Sequence, residues 1–212
     1  MEIVVKKLGK QFQNEWIFRN LDFRFELNKI YAVTGPNGSG KSTLLQVLSG
    51  FLQPTSGEIV YQNSQTTIDP DQFYQYITVA TPYTELIEEF TAMELLKFHF
   101  KFKRLREGKD IENFLSDICL PRTEDKILKN FSSGMKQRLK LGLAFYSDTP
   151  VILLDEPTSN LDEEGIKWFQ KTLSQERKNR TIIISSNQPY EYEQSDETLN
   201  ILSYKTPQKA KA

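Results

Sequence analysis

Residues 30–48 constrain this chain more than any other stretch. Ile30, Tyr31, Ala32, Val33 and Thr34 form a short apolar run, which predicts a strand buried on both faces. Gly35, Pro36, Asn37, Gly38, Ser39, Gly40, Lys41 and Ser42 follow and match G-x-x-x-x-G-K-[ST], the phosphate-binding loop. Leu44, Leu45, Val47 and Leu48 then recur at helical spacing, so a helix should open as the loop closes. The glycines permit backbone angles closed to other residues, which turns successive N–H groups inward around an anion. The helix N-terminus adds its partial positive charge. In such a loop Lys41 is expected to bridge the two terminal phosphates of a nucleotide, and the Ser42 hydroxyl to ligate Mg²⁺.

The rest of the composition narrows the class. The chain has 212 residues, enough to bury a sizeable core without covalent staples. Its 27 basic and 28 acidic residues nearly cancel, which argues against a nucleic-acid partner recognised by bulk charge. The single cysteine, Cys119, allows no disulfide within the chain and suits a reducing compartment. Cys119 reads as core, and the lone His99 as core or surface; by itself His99 builds no His-based metal site. No run approaches the ~18 apolar residues of a membrane span. The first ten residues read as a strand followed by lysines, not as a signal peptide.

Along the chain, Glu2 to Lys7 reads as an edge strand. Leu21, Phe23, Phe25 and Leu27 alternate on one face of an antiparallel strand. Glu58 to Tyr61 reads as a strand with Gln62-Asn63 as its turn, and Ile77 to Ala80 as a short strand. From Thr84 to about Lys140 the signal turns helical, with Thr91 and Glu94 spaced as a capping box. Phe131 to Gly134 opens a further helix. Val151 to Leu154 and Thr181 to Ser185 are buried parallel strands, and Leu199 to Tyr204 reads as a last strand. The polar stretch from 205 to 212 reads as a disordered tail.

Two carboxylates follow the Val151–Leu154 run. Asp155 at the end of a buried strand beside a phosphate loop suits a Mg²⁺-handling role, and Glu156 just beyond it can polarise an attacking water.

Three motifs now stand in order: Gly35–Thr43, Phe131-Ser132-Ser133-Gly134-Met135, and Ile152 to Asp162, which reads Ile-Leu-Leu-Asp-Glu-Pro-Thr-Ser-Asn-Leu-Asp. Together they resemble the nucleotide-binding domain of ABC (ATP-binding cassette) ATPases, from about Glu2 to Tyr204. The resemblance implies an α/β P-loop NTPase with a mixed central sheet. It implies an antiparallel β subdomain on the N-terminal side, and a helical subdomain at about 84–145 inserted in the core, all within one domain over 1–204. It implies ATP and Mg²⁺, with Gly35 to Thr43 around the phosphates, Ser42 and Asp155 on the metal, and Lys41 and Glu156 in catalysis. Members sandwich two ATP molecules head to tail between two nucleotide-binding domains, so Ser132 and Gly134 would contact the γ-phosphate held by a second protomer, a homo- or heterodimer partner. Phe12 corresponds to the aromatic that stacks on adenine, with Trp16 as the alternative. Ser159 to Asp162 resembles the loop that contacts the opposite protomer.

Two departures bear on rate. Members usually place a glutamine after the strand ending at Ala80, where this chain reads Thr81-Pro82-Tyr83 and Thr81 offers a shorter hydroxyl. They usually carry a histidine after the last buried strand, where this chain has Asn187, which donates a hydrogen bond but takes no charge. The resemblance therefore implies an ATPase of modest turnover. It implies a cytoplasmic subunit on the inner face of the cell membrane, working for a separate transmembrane permease that docks near Tyr83–Glu89. A soluble non-transport ATPase and a weakly hydrolysing nucleotide-gated subunit are the other readings.

Overall fold

A computed structural model describes residues 1–63 and 66–205 of the protein. Strands β1 (Glu2–Phe12), β2 (Glu15–Phe25), β3 (Ile30–Thr34), β4 (Ser56–Asn63), β5 (Thr66–Ile68) and β6 (Ile77–Ala80) make up the N-terminal part, with helix α1 (Lys41–Leu48) after β3. Helices α2 (Ala92–Phe102), α3 (Ile111–Asp117) and α4 (Ser133–Tyr146) follow. Then β7 (Val151–Asp155), α5 (Glu163–Glu176), β8 (Thr181–Ser186), the one-turn α6 (Pro189–Tyr192) and β9 (Glu197–Asn200) complete the order.

The strands form two sheets. One is antiparallel, in the order β2-β1-β4-β5; the other is parallel, in the order β6-β7-β8-β3-β9. The inner strands of the parallel sheet, β7, β8 and β3, are buried on both faces, and their residues divide at period two. Tyr31, Val33, Val151, Leu153 and Ile183 face one core, shared with α1 and the antiparallel sheet. Ile30, Ile152, Leu154, Ile182 and Ile184 face the other, against Leu141, Ala144 and Phe145 of α4 and Phe169 and Leu173 of α5. A third cluster lies in the helical region and takes Leu139, Leu143 and Tyr146 from α4. Helix α4 therefore serves two cores from different faces.

Several expectations need correction. β1 is not an edge strand, because β4 pairs with its free side. Gln62 and Asn63 continue β4 and pair with Thr67 and Thr66, so they make no turn there. Leu27 lies beyond β2 and is 39% exposed, off the apolar face that Leu21 and Phe25 bury. The last strand is Glu197–Asn200, and Ile201–Tyr204 coils into a 3₁₀ turn. The capping box forms: Thr91 Oγ1 accepts from the Glu94 N–H at 3.2 Å, and Glu94 Oε2 accepts from the Thr91 N–H at 2.8 Å. The expected tail lies outside the described residues, apart from Lys205.

His99 sits half-buried on α2, with Nε2 2.9 Å from Ser147 Oγ. Burial, reinforced by the Lys103 ammonium, pushes its pKa down to about 4. The unfolded chain takes up this proton near its ordinary value, so it binds protons that the folded chain refuses. Stability should therefore fall as pH drops from about 6.5 towards about 4, by of order 3 kcal/mol. Urea melts across that window check it, with a His99→Gln variant expected to lose this part of the pH slope.

Candidate functional site

The phosphate loop spans the gap between the end of β3 and the start of α1. Gly35, Gly38 and Gly40 all take positive φ, at 148°, 71° and 106°. Gly40 is constrained twice over, because a Cβ there would also lie 2.4 Å from Cγ2 of Ile17. A cavity of about 330 Å³ opens over the loop, walled by Ile17, the run from Asn37 to Thr43, Tyr83 and Glu156. Lys41 is buried and folds back on its own loop, donating to the carbonyls of Gly35 at 2.9 Å and Pro36 at 3.3 Å.

Sheet register brings Glu156 to this cavity, while Asp155, just before it, is buried at the strand end and outside the cavity wall. Asp155 ends β7 beside Ser185 of β8, and Ser185 pairs in turn with Val33 of β3. Asp155 thus stands two strands from the loop strand, about 10 Å away at ordinary strand spacing. Its Oδ1 is buried without a hydrogen-bond partner, as are the hydroxyls of Ser39 and Ser185. An orphaned buried acceptor is costly, so a cation or its bound water at the strand end fits these residues. Among the described residues no three His, Cys, Asp or Glu side chains cluster as a metal site. A single buried carboxylate can hold a cation such as Mg²⁺ only together with other oxygens, commonly substrate phosphates and water.

Glu156 sits at the cavity wall with φ 42°, a left-handed conformation uncommon for a residue with a side chain. Its N–H donates to the Ser185 carbonyl at 2.8 Å, which holds the turn, and Ser159 Oγ lies 3.5 Å from its Oε2. Asn187 follows β8 and reaches the loop from the other side: its Nδ2 donates to Asn37 Oδ1 at 2.9 Å. Lys41, Ser42, Glu156 and Asn187 are therefore gathered around one loop.

Ser132 and Gly134 are placed elsewhere. Ser132 caps α4, its Oγ accepting from the Met135 N–H at 3.2 Å. Both line a separate cavity of about 410 Å³ with Ser133, Met135, Arg138 and Asn160 to Asp162. A Cβ on Gly134 would lie 2.7 Å from the Asn160 carbonyl, so glycine lets the cap and the Asn160 loop touch. Arg138 secures the same contact through Asp162 at 2.6 Å.

Phe12 does not line the loop cavity. It lies at the end of β1, 44% exposed, with Lys10 Nζ 5.0 Å from its ring centroid. Trp16 is absent from the cavity wall too, and Ile17 stands there instead. Ile17 carries no signal in the sequence, because nothing in a β-strand pattern marks which residue faces a loop formed far along the chain.

Comparison with known proteins bears on the same residues. The family model described as ABC transporter matches residues 18–159, more than half of the chain. The uncharacterised ABC transporter ATP-binding protein YybJ of Bacillus subtilis (strain 168) is 34% identical over 186 residues, covering 87% of this chain and 85% of that protein. ABC transporter A family member 7 of Dictyostelium discoideum is 30% identical over 208 residues, but the chain spans only 25% of it. In fold, the chain resembles the dimeric structure of a bacterial ABC transporter cassette with a TM-score of 0.79 at 20% identity, covering 94% of each. A family match across both the phosphate loop and the Asp155–Glu156 strand end, joined to a relative similar along most of its length, makes this chain a member of the ABC transporter ATP-binding family.

Proposed function

We propose that the chain is the ATP-hydrolysing subunit of an ABC transporter, active when it pairs head to tail with a second nucleotide-binding domain. One observation carries this reading: Ser132 and Gly134 line a different cavity from Lys41 and Glu156. One chain therefore supplies two separate half-sites. A second domain in head-to-tail array would bring the α4 cap, with its N-terminal partial charge, against the γ-phosphate. The domain runs over 1–204, with the helical subdomain at about 84–145.

Each residue then has a task. Backbone N–H groups from Gly35 to Thr43 cradle the phosphates, and Lys41 leaves its two loop carbonyls for phosphate oxygens. Ser42 and Asp155 would hold Mg²⁺, which neutralises charge where the β–γ bond breaks. Glu156 orients a water and takes its proton as the water oxygen bonds the γ-phosphorus and the bond to the β-phosphate oxygen breaks. Asn187 donates towards the γ-phosphate without adding charge. Loss of one transition-state contact commonly slows turnover ~10²–10³-fold, and the glutamine and histidine usual in relatives are both replaced here. A slow enzyme follows. The adenine face is left to Phe12, Trp16 or Ile17.

A permease partner has a place to bind. A groove of about 810 Å³ is walled by Pro82 to Leu86, Glu88, Glu89, Lys136 and Lys140. Exposed Val79, Ile87, Phe98 and Phe102 line an adjoining cavity that shares Thr84 to Leu86 and Lys140 with this groove. No helix of the described residues is long and apolar enough to cross a membrane. The permease would keep the chain at the inner face of the cell membrane, and no nucleic-acid partner is needed. The test is recovery of tagged chain from detergent-solubilised membranes of its own cells. A polytopic membrane protein is expected to come with it in stoichiometric amount. Recovery from the soluble fraction alone overturns the transporter assignment.

A further inference from the structure

Glu191, on the one-turn α6, is 2% exposed and lies outside the wall of the loop cavity. Its Oε1 accepts from the Thr158 N–H at 2.7 Å and from Thr158 Oγ1, and its Oε2 accepts from Ser186 Oγ. None of these donors is charged. A carboxylate taken from water into such a place costs stability that an apolar side chain would not. What it adds is direction: two oxygens that hold two separate stretches of backbone at a fixed spacing.

Those stretches lie directly behind the reacting groups. Thr158 stands two residues after Glu156, and Ser186 immediately precedes Asn187. The left-handed backbone of Glu156, at φ 42°, persists only while its surroundings over-determine it. Contacts at three successive residues do so. The Glu156 N–H donates to the Ser185 carbonyl at 2.8 Å, Gln137 Nε2 donates to the Pro157 carbonyl at 2.8 Å, and the Thr158 N–H donates to Glu191. On the other side, Ser186 Oγ donates to Glu191 and accepts from the Gln188 N–H at 2.8 Å, which turns the chain as it leaves β8. Helix α6 is itself fixed, because Gln170 Nε2 of α5 donates to the Tyr190 carbonyl at 3.1 Å. Glu191 therefore ties the turn that presents Glu156 to the turn that presents Asn187, with α5 as the anchor.

We propose that Glu191 is a positioning residue for ATP hydrolysis, holding Glu156 and Asn187 in register with each other while touching neither the nucleotide nor the attacking water. This rests on the hydrolytic reading above. Glu191 transfers no proton in the reaction. Its part is geometric, and a misplacement of about 1 Å at the reacting groups can cost ~10²-fold in rate.

Steady-state kinetics of the full chain with Mg²⁺-ATP test it, with Glu156→Gln as the reference for a lost base and with ATP binding and thermal midpoints measured in parallel. Glu191→Ala should lower kcat ~10²-fold while KM and ATP affinity stay within about twofold, because the phosphate loop is left intact. Glu191→Gln should restore most of kcat. Its amide oxygen can accept from Thr158, its amide N–H can donate to Ser186 Oγ, and the Ser186 hydroxyl can turn to the Gln188 carbonyl, 3.5 Å away. Ser186→Ala and Thr158→Val cut one arm each, so they read the joint even where Glu191→Ala fails to fold. Each should lower kcat about tenfold, and the two together no further, since opening either arm frees the joint. Turnover of folded Glu191→Ala within about threefold of wild type, a loss carried by KM or binding, no recovery in Glu191→Gln, or losses that add when Ser186→Ala and Thr158→Val are combined each overturns the proposal. Wild-type turnover no higher than that of Glu156→Gln removes the hydrolytic reading itself, and this role with it.

Discussion

Glu156→Gln is expected to lower steady-state ATP turnover ~10²–10⁴-fold, the usual contribution of a positioned general base, while ATP affinity stays within about twofold. The structure makes this substitution unusually clean. Glu156 and glutamine share a shape, and the backbone at this position takes φ 42° with its N–H fixed on the Ser185 carbonyl at 2.8 Å. Both residues meet the same backbone penalty there, so the difference between them is the ability to take a proton. The Ser159 hydroxyl, 3.5 Å from Glu156 Oε2, can donate to an amide oxygen as well as to a carboxylate. In the proposed site the phosphate contacts would come from Lys41 and the loop N–H groups, which the change leaves untouched. Phosphate release assays with equilibrium nucleotide binding in parallel check it. Turnover within about threefold of wild type would remove Glu156 from the reaction.

What the sequence revealed, and what it hid, divides by distance along the chain. Ile30–Thr34, the loop and the opening of α1 were readable because a strand, a glycine loop and a helical stripe are local patterns, and all three stand where they were expected. The Thr91–Glu94 box and the Ser132 cap are local in the same way. Strand neighbours are not local. β1 looked like an edge because its alternating faces say nothing about which strands flank it, and β4 arrives some fifty residues later. Gln62 and Asn63 have the composition of a turn, yet pairing with β1 and β5 overrides it. The site shows the same split. Asp155 and Glu156 could be named from a strand end, but their distance from the loop depends on β8 lying between β7 and β3. The Gly134–Asn160 approach, the Asn187–Asn37 hydrogen bond and the place of Tyr83 in two walls join segments far apart in sequence. No pattern within one segment marks them.

The largest stability effect should come from a residue that no motif contains. Glu176, on the last turn of α5, is 6% exposed, accepts a hydrogen bond from Arg180 Nη1 at 3.2 Å, and forms ion pairs with Lys109 Nζ at 2.8 Å and Arg106 Nε at 3.2 Å. Arg180 is itself 1% exposed, and it also donates to the carbonyls of Phe145, at 2.9 Å, and Ser147. Burial first, and then the Arg106 guanidinium, push the Arg180 pKa down to about 10, against the pull of Glu176, so it remains charged at neutral pH. One carboxylate thus serves three cations that have left most of their water. Removing it leaves that charge uncompensated, a case in which loss of one partner typically costs ~3–5 kcal/mol. Glu176→Gln should lower the unfolding free energy from urea melts by that much, whereas Glu58→Gln, which breaks the exposed Lys6–Glu58 pair, should leave it within error. A loss below about 1 kcal/mol would show that water still solvates the cluster. The position of the network gives the result a functional edge. Arg106 and Lys109 belong to the connection between α2 and α3, while Arg180 leads directly into β8, the strand between Asp155 and the phosphate loop. Cutting Glu176 should therefore loosen the helical region from the sheet that aligns the nucleotide residues, and turnover should decline at temperatures below the unfolding transition.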